Sequence, residues 1–186
     1  MSKVIVIDLE MNKPSGKIIQ LGYVIGNVRK SEVIKSVNIN VNPGEPIDPY
    51  ITDLTGINQA DADSGLSLME AYGIMCADIK RHNPTTTCVQ WGSGDSYYLK
   101  KELGLSSEEY IFRTRVFDVK ALFQMQQMFL NKSVAMGLGS ACKEMGIEFE
   151  GTAHNALADA TNTFKIFCDL GHTMALSTKM RKLVNG

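Results

Sequence analysis

Hydrophobic positions in the first part of the chain follow the spacing of β-strands. Residues 4–7 form a continuous run of β-branched side chains, which is typical of a central strand covered on both faces. Two further strand-like stretches, 18–25 and 33–41, are separated by a short polar turn, and the second alternates apolar with polar residues. Strands joined by so short a turn pair antiparallel, so residues 4–41 predict a three-stranded antiparallel meander.

The pattern changes after a loop that is rich in proline. Residues 42–65 contain three of the five prolines and four aspartates, which predicts an irregular segment with one short helix around residues 50–54. Beyond this loop, apolar residues at helical spacing alternate with short strand-like stretches. The predicted helices cover 68–79, 96–103, 119–129, 134–145 and 156–170, and the predicted strands cover 85–91 and 115–117.

This alternation predicts parallel strands in the second half of the sheet, because strands connected through helices pair in parallel. The chain therefore predicts an α/β fold with a mixed five-stranded sheet, an antiparallel meander followed by parallel strands, flanked by helices. At 186 residues, of which 44% are hydrophobic, the chain suits one domain spanning 1–186. We expect its core at about 3–170 and a C-terminal tail at 171–186.

Charge and cysteine usage narrow the class of protein. The chain has 19 Lys and Arg against 20 Asp and Glu, so a polyanionic substrate would have to be bound locally rather than by a global field. The four scattered cysteines are expected to be reduced core thiols, and the four-residue apolar run near the N-terminus is too short for a signal segment. We therefore expect a cytoplasmic protein that contacts no membrane.

Small basic clusters could bind a polyanion locally, although each is typical of a solvated face. They are Arg29 with Lys30, Lys100 with Lys101, Arg113 with Arg115, and Lys179 with Arg181 and Lys182.

Two acidic residues, Asp8 and Glu10, stand where the first strand ends. Because one residue separates them in extended chain, both side chains point to the same side. Hard divalent ions such as Mg²⁺ prefer oxygen ligands, and a buried pair of like charges is otherwise costly. The pair therefore indicates a cation site, with an ordinary solvated Asp-x-Glu as the alternative.

Three further residues suit the same chemistry. Asp95 follows the strand that ends at Trp91; an N-cap aspartate is the ordinary interpretation, but strand ends in a parallel half-sheet are where sites are built. His154 lies just before the last helix, and an imidazole there suits a general base acting on water. Asp159 lies at the rim of the apolar face of that helix, where a metal would compensate an unpaired carboxylate.

Acidic motifs in this order and at these intervals resemble those of the DEDDh 3′→5′ exonucleases of the ribonuclease H-like superfamily, over roughly residues 4–170. The resemblance implies a ribonuclease H-like fold and a hydrolase that releases nucleoside monophosphates from 3′ ends. It also implies that His154 deprotonates the attacking water, and that four carboxylates hold two Mg²⁺ or Mn²⁺ ions. These metal ligands are Asp8, Glu10, Asp95 and Asp159.

The resemblance further implies contacts to the terminal nucleotide. In similar enzymes the residues after the first acid, here Leu9 and Met11, touch that nucleotide, and a segment here running from Leu54 to Ile57 lies beside it. Ordinary apolar packing is the alternative for all four residues. Trp91 is a further candidate, because an aromatic ring can stack on an unpaired base.

Two local similarities favour RNA. The Asp-Leu-Glu-Met sequence at 8–11 resembles the oligoribonuclease version of the motif, and Trp91-Gly92 ahead of Asp95 resembles the histone-mRNA 3′ exonuclease type. We therefore expect single-stranded nucleic acid as the partner, with RNA favoured over DNA. The alternatives are a DNA exonuclease of the proofreading kind and a catalytically silent module that binds nucleic acid or a partner, because a fold does not fix a function.

Overall fold

The computed structural model describes the backbone of residues 3–112 and 115–185, and side chains as far as residue 177. Two of the basic clusters noted in the sequence contain residues that the structure does not describe. Arg113 and the side chains of Lys179, Arg181 and Lys182 lie outside the described residues.

Strands and helices follow the predicted order. The elements are β1 (Lys3–Met11), β2 (Ile18–Asn27), β3 (Glu32–Asn40), α1 (Pro49–Thr55), α2 (Gln59–Asp63), α3 (Leu68–His82), β4 (Cys88–Gln90), α4 (Asp95–Leu103), β5 (Val116–Asp118), α5 (Val119–Phe129), α6 (Leu138–Glu144) and α7 (Ala156–Asn185).

The five strands form one mixed sheet in the order β3-β2-β1-β4-β5. β1, β2 and β3 pair antiparallel, whereas β4 pairs parallel with β1 and β5 pairs parallel with β4. The predicted meander followed by parallel strands is therefore confirmed. β1 has neighbours on both sides, so the carboxyl end of the most central strand is where the antiparallel and parallel halves meet.

The side chains of β1 alternate between two hydrophobic clusters, one on each face of the sheet. The odd-numbered ones from Ile5 to Leu9 belong to the cluster that contains α3, and the even-numbered ones beginning with Val4 belong to the cluster that contains α5 and α7. Successive side chains of a strand point to opposite faces. Asp8 and Glu10 continue the even-numbered series and therefore lie on the α7 side.

α7 packs directly on β2 because β2 carries glycine at the contact positions. A Cβ atom at Gly22 would lie 2.2 Å from the carbonyl carbon of Ala156, and one at Gly26 would lie 2.3 Å from the ring of Phe164. Gly22 is the partner of Asp8 in the register of β1 and β2. The start of α7 is therefore brought against the strand beside the Asp8 carboxylate.

The structure corrects the sequence interpretation of residues 42–65, where two short helices form instead of one. α2 begins with a reciprocal cap: the Asn58 side chain accepts a hydrogen bond from the Asp61 amide at 3.0 Å, and the Asp61 carboxylate accepts one from the Asn58 amide at 3.0 Å. The usual sequence signature of such a cap is Ser or Thr followed by Glu or Gln. An Asn-x-x-Asp version among prolines and aspartates indicates a loop instead.

Other boundaries shift by a few residues. β4 contains three residues, fewer than the predicted 85–91. Val134 lies before α6 rather than in it, because its carbonyl accepts hydrogen bonds from the Gln124 side chain and the Met136 amide. α7 continues to Asn185, past residue 170.

The cysteines are unpaired, with Cys76 half-buried and the other three buried. None of the helices in the described part of the chain combines the length and the hydropathy that crossing a membrane requires.

Candidate active site

Asp8 and Glu10 form the strand side of the site. Both are half-buried on the face of β1 that α7 covers, and Leu9 between them points into the opposite core, where it is 6% exposed. Their position on a strand paired on both sides fixes the direction of both carboxylates. The predicted same-side arrangement of the two acids follows from this extended backbone.

Asp95 is the first residue of α4 rather than its N-cap, which is Gly94. The Asp95 carboxylate is half-buried, and the backbone amides of Asp95 itself and of Leu9 in β1 lie close enough to lower its pKa. A side chain that serves as N-cap turns back onto its own helix. Here the carboxylate also lies beside the Leu9 amide of the neighbouring strand, and it is close enough to Asp8 and Glu10 to raise the pKa of both.

Gln90 holds the loop that leads to Asp95. This residue is fully buried at the end of β4, where its Oε1 accepts a hydrogen bond from the Ser96 amide at 3.0 Å and its Nε2 donates one to the Gly92 carbonyl at 2.9 Å. Gly94 supplies no side-chain cap, so Gln90 satisfies one of the amides at the start of α4. Asp118 adds a second tie, because its Oδ1 accepts from the Gly92 amide at 3.0 Å.

Another glutamine has the same role at the start of α7. Gln20 is 3% exposed and lies opposite Glu10 in the register of β1 and β2. Its Oε1 accepts a hydrogen bond from the amide of Ala156, the first residue of α7, at 2.9 Å, and its Nε2 donates to Asn40 Oδ1 at 2.8 Å. Asp159 lies one helical turn further along α7 and is thereby placed beside the carboxylates of β1.

His154 stands apart from this buried network. Its side chain is exposed, and its backbone has a positive φ of 63°, the left-handed conformation that few non-glycine residues adopt. The His154 amide donates to Asp159 Oδ2 at 3.3 Å, which ties the loop to the acid. Glu10, His154 and Asp159 each offer a ligand atom, and these atoms all lie within 4.8 Å of one another.

Burial and mutual repulsion raise the pKa values of these acids. The pKa of Asp8 lies well above its usual range, mainly because of burial and then because of repulsion from Asp95, Asp159 and Glu10. Burial, followed by repulsion from Asp159 and Asp95, raises the pKa of Glu10 to about 7. The four carboxylates are therefore close enough to disfavour simultaneous ionisation.

The pKa of Asp95 is raised to about 7, chiefly by burial, with repulsion from Asp118 and Asp159 adding to it and the Leu9 amide opposing it. Burial also raises the pKa of Asp159, although the hydrogen bond from His154 and the charge of its ring lower it. A charged group with these surroundings needs a compensating positive charge.

The residues present fit a divalent cation. Asp159 Oδ1 is buried and has no hydrogen-bond partner among the described residues, although an unpaired buried acceptor is costly. A cation would satisfy that oxygen and offset the repulsion among the four acids. Carboxylate oxygens with at most one imidazole are the ligands that hard divalent cations prefer.

The residues expected to contact a terminal nucleotide differ in exposure. Leu9 and Ile57 are 6% and 5% exposed, and Trp91 packs against Phe123 with ring centroids 6.0 Å apart, so all three contribute to hydrophobic clusters. Met11 is half-buried. Leu54 is the most accessible, because it lies on the outer side of α1.

The sequence interpretation missed Gln20, Gln90 and Asp118. Gln20 lies within an otherwise apolar strand and Gln90 lies at the end of another, and this is the signal that the sequence offers. Their partners are helix amides at sequence distances of 136 and 6 residues, and only the folded sheet brings the more distant pair together.

Sequence comparison finds relatives that are much longer than this chain and relatives of similar length. Mouse "ERI1 exoribonuclease 2" is 28% identical over 173 residues, which cover 80% of this chain, and this chain spans only 24% of that protein's length. "Probable 3'-5' exonuclease KapD" of Bacillus subtilis (strain 168) is 24% identical over 179 residues, covering 89% of this chain and 83% of the relative.

Structural comparison and a family model agree with these relatives. The nuclease domain of 3′hExo, described as a DEDDh family member bound to rAMP, superposes with a TM-score of 0.79 at 17% identity, over 92% of either chain. That likeness confirms the ribonuclease H-like exonuclease fold. The model of the RNase_T family, described as "Exonuclease", matches residues 5–167. Because this match covers most of the chain, the chain belongs to the RNase_T exonuclease family.

Proposed function

We propose that this protein is a metal-dependent 3′→5′ exonuclease that hydrolyses single-stranded nucleic acid, with RNA favoured over DNA. The observation that carries the proposal is the meeting of four carboxylates from β1, α4 and α7, one of which has a buried oxygen without a partner among the described residues. Repulsion among these carboxylates has to be neutralised by protons or by a cation, and a cation would also satisfy the unpaired oxygen.

In this proposal the four carboxylates hold two Mg²⁺ or Mn²⁺ ions. Their raised pKa values support the role, because a bound cation stabilises the charged form of each acid. When bound, two such ions stabilise the attacking and leaving oxygens of an in-line displacement at phosphorus. The metal ligands are Asp8, Glu10, Asp95 and Asp159.

His154 is the general base of the proposed reaction. It accepts a proton from the attacking water as the bond from the water oxygen to phosphorus forms and the bond from phosphorus to the 3′ oxygen of the preceding nucleotide breaks. The products are a nucleoside 5′-monophosphate and a chain one nucleotide shorter, whose 3′ oxygen takes a proton from solvent. The exposure of His154 supports this role, because the accepted proton can leave to bulk water.

Two of the similar proteins support RNA as the favoured substrate in this proposal. The mouse relative is named an exoribonuclease, and the similar nuclease domain is described with a bound ribonucleotide. The net charge of −1 offers no field for long-range capture of a duplex. Leu54, which is exposed, and Met11 and Trp91, which are half-buried, would contact the terminal nucleotide.

Digestion of matched oligonucleotides tests the proposal. We expect 5′-end-labelled RNA incubated with Mg²⁺ to give a ladder that shortens by one nucleotide at a time, and EDTA to stop it. DNA of the same sequence should be digested more slowly. Faster digestion of DNA would assign the protein to DNA, and digestion of neither would favour a silent binding module.

A further inference from the structure

A groove outside the carboxylate site lies between the β1–β2 turn and α4. Its volume is about 230 Å³, and we call it the Tyr98 groove. The elements that form the groove also carry site residues: the turn follows Glu10 along β1, and Tyr98 lies one helical turn after Asp95 in α4. The groove is lined by Ser15, Gly16, Lys17, Tyr98, Lys101 and Glu102.

An exposed aromatic surface borders this groove. Tyr98 is 41% exposed and stands edge-on to Tyr97, which is 61% exposed, with ring centroids 5.3 Å apart. The buried face of α4 is formed by Ser96 and Leu99, so packing of the core does not require either ring. The ring of Tyr50, which Lys13 of the turn contacts, is also exposed.

Lysine side chains accompany these rings. Lys17 and Lys101 line the Tyr98 groove, and the Lys13 ammonium lies 4.7 Å from the centroid of the Tyr50 ring. Two acids face the same region. Glu45 pairs with the Lys17 ammonium at 3.5 Å, and that ammonium also donates a hydrogen bond to the Pro43 carbonyl at 2.7 Å. Glu102 accepts a hydrogen bond from the Ile18 amide at 2.9 Å.

The turn that carries Lys13 and Lys17 is held in place. The Asn12 side chain donates to Glu45 Oε1 at 2.8 Å and to the Pro46 carbonyl at 2.9 Å, and it accepts from the Asp48 amide at 2.9 Å. Asn12 is 2% exposed. The lysines are therefore presented from a fixed support, so that less conformational entropy is lost when a ligand binds.

We infer that the Tyr98 groove binds the nucleotides that precede the 3′-terminal one in a single-stranded substrate. A base would stack on Tyr98, and phosphates would contact Lys17 and Lys101. Exposed aromatic rings interleaved with lysines are the chemistry that binds single strands without reading their sequence. The inference rests on the proposed function, because it assumes that the terminal phosphodiester lies at the carboxylates.

Substrates of different length separate the groove from the carboxylate site. A nucleoside 5′-monophosphate p-nitrophenyl ester has no preceding nucleotides, whereas a decanucleotide can fill the groove. We expect the ratio of kcat/KM for the decanucleotide to kcat/KM for the ester to fall about tenfold in Tyr98→Ala, since loss of a stacked base has an effect of this order. Tyr98→Phe should restore the ratio. Lys143→Ala on the exposed surface of α6 is the matched control for the Lys101→Ala variant. An unchanged ratio in Tyr98→Ala would overturn the inference.

Binding provides a readout that does not depend on hydrolysis. Anisotropy of a fluorescein-labelled RNA decanucleotide should show a Kd about tenfold higher for Tyr98→Ala than for the parent, and Lys101→Ala should reduce the dependence of log Kd on log salt concentration by about one phosphate contact. Equal affinities and salt slopes would contradict the groove. Parent protein that binds the decanucleotide through Tyr98 and digests nothing would instead contradict the proposed function alone.

Discussion

The carboxylates and the histidine of the site are held in opposite ways. Asp8, Glu10 and Asp95 sit half-buried on a central strand and at a helix start tied down by Gln90. His154 is exposed, in a left-handed loop, with one backbone hydrogen bond to Asp159. This contrast suits the proposed roles, because cation ligands must be fixed in direction, whereas a group that accepts and releases protons needs access to water. The difference predicts separate effects on metal binding, stability and rate.

Replacing an acid should produce the largest change. We expect Asp95→Asn to reduce turnover by more than about a thousandfold, because a ligand charge is lost where the donors are preorganised. The metal-free variant should be more stable than the parent, on the order of 1 kcal/mol in the free energy of unfolding, since a buried repelling charge is removed. Steady-state kinetics and urea unfolding measure the two effects, with Asp169→Asn on the exposed side of α7 as control. Turnover within tenfold of the parent would refute the metal role.

His154→Ala should lower the rate less and leave stability unchanged. A general base contributes roughly a hundredfold to ten-thousandfold, and the exposed ring adds little to packing. Calorimetric titration with Mn²⁺ should give parent-like affinity. A large loss of Mn²⁺ affinity would instead make His154 a ligand beside Glu10 and Asp159, which its position within 4.8 Å of them would allow.

Gln90→Leu should weaken the binding of a cation by the carboxylates, although Gln90 is not itself a proposed metal ligand. It leaves the Ser96 amide and the Gly92 carbonyl without their partner, at a cost of about 2 kcal/mol in the free energy of unfolding. Mn²⁺ affinity should fall about tenfold, because residues that orient ligands typically have effects of this size. Gln127→Leu is the matched control, since its buried Oε1 has no partner among the described residues. Equal destabilisation in both variants would contradict a specific role for Gln90.

The pH dependence of the metal-free protein should be the smallest effect. Glu10 and Asp95 have pKa values of about 7 when folded, above the value near 4 expected for the unfolded chain. The folded state therefore binds protons more tightly, so its stability is greatest below about pH 4.5, as far as these two groups decide it, and is lost as the pH rises through 7. We expect Tm to be a few degrees lower at pH 8 than at pH 5.5, and saturating Mg²⁺ to remove the difference. A Tm that rises with pH in the metal-free protein would count against this electrostatic account.

The sequence predicted the positions of the acids better than the hydrogen bonds that hold their elements in place. Asp8 and Glu10 could be placed together because strand geometry alone points them to one side. Asp159 could be placed at the rim of a helix face by its spacing. Gln20 could not be found in this way, because its partner is the Ala156 amide and the contact depends on α7 closing over Gly22. Local patterns identify chemistry, whereas long-range hydrogen bonds between a strand and a helix end need the packed structure.

The same limit applies to Trp91, which is half-buried and whose stacking on a base stays a prediction. An aromatic residue before an acid is consistent with stacking on a base, and nothing local indicates that Phe123 on α5 lies against the ring. Tyr98 shows the reverse case, because helix spacing alone does not tell that Ser96 and Leu99 form the buried face of α4 and leave Tyr98 on the surface. Exposure of a side chain is a property of the tertiary structure.

Proton release on metal binding tests the central claim most directly. Calorimetric titration of the metal-free protein with Mn²⁺ at pH 7, repeated in buffers of different ionisation enthalpy, gives both the number of ions bound and the number of protons displaced. If Asp8, Glu10, Asp95 and Asp159 are the ligands, we expect two ions per chain and release of at least about one proton, because Glu10 and Asp95, with pKa values of about 7, and Asp8, whose pKa is also raised, must lose their protons to bind a cation. Absence of binding, or binding without proton release that survives in Asp95→Asn, would contradict the account.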